Sequence, residues 1–90
     1  MRIVLIVHGT VQGVNFRSTA QSHAQQEGLR GTVENRPDGT VRVFLEGSAA
    51  SIERFRANLR TNPGNARIER VEETSPTPRD RTPDGFRILR

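Results

Sequence analysis

The residues best suited to chemistry stand together near the start of the chain, in the segment Gly9-Thr10-Val11-Gln12-Gly13-Val14-Asn15-Phe16-Arg17. Its glycines let the backbone turn tightly and come close to a ligand. The next stretch, Phe16 to Glu27, is helix-compatible, and the first amides of a helix have no intrahelical partner. Such amides attract anions. A phosphate-sized group there would meet several N–H donors and the positive end of the helix dipole, with Arg17 on the first turn as a fixed cation. The same spacing fits a tight strand-to-helix turn with a solvated arginine, so the segment alone leaves both readings open.

Composition removes other chemistries. The chain has no cysteine, which excludes disulfides, thiolate catalysis and Cys-type zinc sites and agrees with a reducing compartment. It has fourteen basic residues, all arginine, and a net charge of +4. Without lysine there is neither Schiff-base chemistry nor a phosphate loop of the Walker type. Arginine in this number suits planar, bidentate contacts with anions, although a solvated surface is the plainer account of most of it. His8 and His23 lack HxxEH or HExxH spacing and read as ordinary structural or surface histidines, so no metal site is expected. On its own, Asn35 reads as a residue preparing the chain for the turn Arg36-Pro37-Asp38-Gly39.

The elements that must hold these residues follow from periodicity. Residues 2 to 8 contain the unbroken run Ile3-Val4-Leu5-Ile6-Val7, the pattern of a strand covered on both faces and central in its sheet. Five apolar residues are too few for a signal-peptide core, which needs roughly 7–15, and no stretch approaches the roughly 20 of a membrane span. Phe16, Ala20, Ala24 and Gly28 recur every four positions, a narrow stripe on a helix that Gly28 can end. Arg30 to Asn35 and Val41 to Glu46 form a hairpin, the second strand alternating in period two. Ser48 can cap a second helix carrying Ile52, Phe55 and Leu59. Ala66 to Thr74 reads as a further strand in which Ile68 and Val71 are out of phase for strict alternation, a pattern that a bulge or a one-turn helix would accommodate. The Pro-, Asp- and Thr-rich stretch Ser75 to Gly85 reads as an irregular surface segment, and Phe86 to Leu89 as a short closing strand.

The order β-α-β-β-α-β predicts an α+β fold, the ferredoxin-like α/β sandwich with two helices on one face of an antiparallel sheet. A chain of 90 residues fits a single domain, 1–90, with one modest core.

Several spaced motifs agree on one resemblance. Val11-Gln12-Gly13-Val14 with Phe16-Arg17, then Gly28-Leu29, Gly31, Val33 and Asn35, then Asp38-Gly39 and Val41, resembles the signature of acylphosphatases. The likeness runs on through Gly47, Phe55, Pro63, Ala66 and the closing Phe86 and Ile88. It implies the same fold and hydrolysis of acyl phosphates to a carboxylate and inorganic phosphate, with no metal or cofactor. By position it gives Arg17 and the amides of Gln12 to Arg17 the phosphoryl group, so that Gln12, Gly13, Val14, Asn15 and Phe16 line the binding loop. Asn35 is given the attacking water, and Gln12 supports the loop rather than catalysing. Asn15 and Thr32 depart from the pattern, which commonly has a glycine, small or apolar residue and a tryptophan there. If the loop needs positive φ at Asn15, asparagine is among the least costly alternatives to glycine.

The expected partner is therefore a small-molecule acyl phosphate bound by a cytoplasmic monomer, without nucleic acid or membrane. The alternative is a catalytically silent anion- or nucleic-acid-binding module, motivated by the arginines. Against it, tyrosine and tryptophan are absent and the four phenylalanines form no base-stacking strand motif.

Overall fold

The apolar run at the start becomes an inner strand because both of its faces can be covered. A computed structural model describes residues 1–90. In it β1 (Arg2–Thr10) lies between β3 (Val41–Glu46) and β4 (Arg67–Thr74), and Ile3 to Val7 are all buried. The remaining strands are β2 (Arg30–Asn35) and β5 (Phe86–Leu89), and the sheet order is β4-β1-β3-β2-β5. Neighbours pair antiparallel except β2 and β5, which run parallel. The expected antiparallel sheet with two helices on one face is thus present, with one parallel pair at its edge: the chain crosses the whole sheet between β4 and β5, so the last strand returns in the direction of β2.

One face carries both helices, α1 (Phe16–Gln26) and α2 (Ala49–Thr61). Phe16, Ala20 and Ala24 bury the predicted stripe of α1, and Ile52, Phe55 and Leu59 that of α2. These join Leu5, Val7, Val33, Val43 and Leu45 in the main core. Ser48 caps α2 by accepting from the Ser51 amide at 3.1 Å, as its sequence position predicts.

The close spacing of β2 and β3 explains a motif glycine. Gly31 sits at φ +148°, and a Cβ there would stand 1.8 Å from the carbonyl oxygen of Phe44. Opposite, the register of β1 against β4 slips between His8 and Gly9, where His8 faces Arg70 but Gly9 faces Ile68. This bulge leaves Glu69 without an opposite number and accounts for the phase of Ile68 and Val71. Charges pair along this edge: Glu72 meets His8 and Arg70, and Glu73 meets Arg56 at 2.7 Å. His23 donates from Nε2 to the Asn62 carbonyl at 2.8 Å.

Residues 75 to 85 form a strap over the face opposite the helices, more than the irregular surface segment expected. Beneath it Val4, Ile6 and Phe44 make a second small core. The strap is fastened by Asp80, which accepts from both Arg42 Nη1 and Nη2, at 2.8 and 2.6 Å. Arg42 is only 8% exposed. Asp80 also accepts from the Thr77 amide at 2.7 Å, and its carbonyl receives Arg2 Nη2 at 3.0 Å. The fork holds the Asp80 carboxyl well below its ordinary range, at about 2, chiefly through the Arg42 hydrogen bonds. The same contact raises the Arg42 pKa.

Candidate active site

β1 ends in a loop that turns into α1 through two residues with left-handed backbone. Gly13 has φ 75° and Asn15 φ 59° with ψ 25°. Asparagine tolerates this conformation, so the expectation formed from the sequence is met in the backbone. Asn15 begins α1 without donating or accepting a capping hydrogen bond through its side chain; its carbonyl receives the Thr19 amide at 3.1 Å. The amides of Gly13, Val14 and Asn15 donate to no backbone carbonyl, and those of Phe16, Arg17 and Ser18 open the helix, where intrahelical partners do not exist. A run of N–H groups is left for an anion.

Five of the residues singled out from the sequence line one cleft of about 220 Å³: Gly13, Asn15, Phe16, Arg17 and Asn35. Phe16 is 1% exposed, so its ring belongs to the core and only its backbone can serve a ligand. Gln12 and Val14 are not among the lining residues. Val14 packs against the main core, leaving its amide as its contribution.

Gln12 turns toward the hairpin. Its Nε2 donates to the carbonyls of Arg36 and Thr40, both at 2.8 Å. Those carbonyls flank the turn that follows Asn35, so one side chain ties the loop before α1 to the strand end that presents the asparagine. The turn is further held by Asp38, whose carboxylate accepts from the Thr40 hydroxyl at 2.6 Å and the Thr40 amide at 3.0 Å. These bonds, the hydroxyl first, lower the Asp38 pKa, and Arg36 adds to the shift.

Arg17 is braced from the other side. Its Nη1 donates to the Leu89 carbonyl on β5 at 2.9 Å. A guanidinium has five N–H donors, so this bond orients the fork and leaves donors for a second, anionic partner. The parallel β2–β5 pairing, with Glu34 opposite Leu89, brings the arginine's brace beside the strand that ends in Asn35.

Sequence reasoning missed Ser18, Ile88 and Arg90, which complete the cleft with Val11, and the Leu89 carbonyl. Ser18 was findable as the third free amide of the helix. Ile88, the Leu89 carbonyl and Arg90 were not, because no sequence signal shows which edge the last strand joins. Thr32, the other departure, lies on the outer face opposite Phe44 and lines no part of this cleft.

The family model described as Acylphosphatase matches residues 3–88. An acylphosphatase of Thermus thermophilus is 46% identical over 71 residues, covering 79% of this chain and 81% of that protein. One of Alkalilimnicola ehrlichii is 40% identical over 84 residues, covering 93% and 92%. Among solved structures, the acylphosphatase from Bacillus subtilis superposes with a TM-score of 0.81 at 28% identity, covering 99% of this chain and 98% of that one.

Proposed function

The chain belongs to the acylphosphatase family, a family of enzymes that hydrolyse acyl phosphates, and from that premise we propose how its residues divide the work. The free amides of the Gly13-to-Ser18 turn and the Arg17 guanidinium hold the phosphoryl oxygens, and the Asn35 carboxamide orients the attacking water. The observation that carries this division is the shared cleft, in which Gly13, Asn15, Arg17 and Asn35 are walls of one small volume.

The reaction asks little more of the protein. Water's oxygen forms a bond to phosphorus while the bond from phosphorus to the acyl oxygen breaks, giving a carboxylate and inorganic phosphate; the water's protons pass to phosphate and solvent. Because a carboxylic acid has a pKa of about 4, the leaving group departs as its anion and needs no general acid. Catalysis of phosphoryl transfer is then mainly alignment and stabilisation of charge on the peripheral oxygens. The helix amides and Arg17 supply the charge stabilisation, and Asn35 supplies the alignment. Gln12 and Leu89 keep the two halves in register.

Asn35→Ala tests the division of labour. Turnover on benzoyl phosphate should fall roughly 10²-fold, the scale of a misplaced reactant, while inhibition by inorganic phosphate is unchanged. Weakened phosphate inhibition with normal turnover at saturation would assign Asn35 to binding instead.

The reading includes a monomeric, cytoplasmic, metal-independent enzyme that binds no nucleic acid. Large apolar side chains are exposed only at Met1, Val71 and Leu89, which favours a monomer. The strap over the outer sheet face, with Phe44 buried at 1% exposure, argues against base stacking on that face. No helix is long and apolar enough to cross a membrane.

A further inference from the structure

A groove of about 540 Å³ lies away from the cleft, between α2 and β4. Its floor is apolar, formed by Leu5, Leu59, Ala66 and Ile68. Its rim carries four arginines, Arg56 and Arg60 of α2 and Arg67 and Arg70 of β4, beside one carboxylate, Glu69. Arg56 is held by Glu73 and Arg70 by Glu72, whereas neither Arg60 nor Arg67 meets a carboxylate. Both are exposed.

β4 also ends the sheet. It pairs with β1 alone, so its outer edge offers N–H and C=O groups with no strand partner, the template on which an extended chain can add. Three features of one surface thus select the same kind of ligand. The free edge calls for a peptide backbone, the apolar floor for alternate apolar side chains, and the unneutralised arginines for carboxylates. Nucleic acid would satisfy only the last of these, and the groove has no aromatic ring on which a base could stack. Glu69 stands at the same rim and helps to keep β4 from pairing indiscriminately.

We propose that the β4 edge and the α2–β4 groove form a docking surface for an extended acidic peptide segment of a partner protein, added as a sixth strand. The surface is independent of the catalytic reading, since none of the proposed catalytic groups lines it.

The test uses the whole chain and a fluorescein-labelled peptide, Glu-Val-Asp-Val-Glu-Thr-Asp, followed by fluorescence anisotropy. Saturable binding is expected, weakened at least about tenfold when the charges are reversed together in Arg60→Glu/Arg67→Glu. Circular dichroism checks that this variant is folded, which the exposure of both side chains favours. A second probe carries the same side chains with alternate backbone nitrogens methylated, and it should not bind, because strand addition needs those N–H groups. Equal binding of the methylated peptide would reduce the site to loose charge attraction and overturn the proposal. So would absence of binding by the first peptide, tighter binding of a labelled oligothymidylate, or a dimer in size-exclusion chromatography that excludes the peptide.

Discussion

Replacing Asp80 with alanine tests how the strap holds the outer face and, through β5, the brace on Arg17. The Asp80 side chain is 6% exposed and the Arg42 side chain 10%, so the pair is nearly dry. With the folded carboxyl at about 2 against an ordinary 3.8, linkage assigns the ionised form about 2 kcal/mol of stability at neutral pH. The alanine variant also leaves the Arg42 charge without its main partner, and truncating one side of a buried pair costs about 3–5 kcal/mol. Glu34, 4.0 Å from Arg42, offsets part of that. We expect a loss of about 2–4 kcal/mol, a large share of the roughly 5–13 kcal/mol available to a domain of this size. Urea unfolding at pH 7 followed by far-ultraviolet circular dichroism measures it, a suitable probe because the chain lacks tryptophan and tyrosine. The pH dependence has a definite sign. A depressed carboxyl contributes its full stability above its unfolded value and loses it as pH falls through the folded value, so the wild type should weaken from about pH 4 toward pH 2, and Asp80→Ala should lack that component. A loss below about 0.5 kcal/mol at pH 7, the scale of an ordinary surface substitution, would refute the strap as a structural fastening.

Other perturbations separate packing from chemistry. Gly31→Ala should lower stability by about 3 kcal/mol or more, because its Cβ would stand 1.8 Å from a carbonyl oxygen in the adjacent strand; a thermal melt within a few degrees of wild type would contradict the observed strand spacing. Gln12→Ala should cost about 1–3 kcal/mol for its two hydrogen bonds and also slow turnover, since loop and hairpin lose their tie; unchanged stability would mean that the tie is not formed. Restoring apolar complementarity with Arg42→Met/Asp80→Leu should recover most of what Asp80→Ala loses, and failure to do so would place the cost in the strap backbone instead.

Much of the fold was legible because its signals are local. The run Ile3 to Val7 announced a strand covered on both faces, and the stripes Phe16-Ala20-Ala24 and Ile52-Phe55-Leu59 face the core as their periods require. Even the phase defect of Ile68 and Val71 marked a real bulge. What escaped was non-local. The Arg42–Asp80 fork joins residues 38 apart, with no periodicity between them, and Asp80 sits in a stretch whose Pro and Thr content reads as loop. Parallel addition of β5 to β2 likewise depends on the strap's route across the sheet. The site divides in the same way: the loop from Gly13 to Arg17 was readable from glycine spacing and the helix start, whereas its juxtaposition with Asn35 rested on the family motif. The partners that brace the two, the Leu89 carbonyl for Arg17 and the Arg36 and Thr40 carbonyls for Gln12, are backbone groups, and backbone groups leave no mark in a sequence.

The central claim, that Arg17 acts as a bidentate clamp on the phosphoryl group, is met most directly by hydrolysis of benzoyl phosphate in EDTA by wild type beside Arg17→Lys. Lysine keeps the charge but presents a single ammonium in place of the planar fork. Turnover by the wild type in the presence of chelator, with a loss of at least about 10²-fold in a folded Arg17→Lys enzyme, is the predicted result. Retention of most of the activity by the lysine enzyme would contradict it.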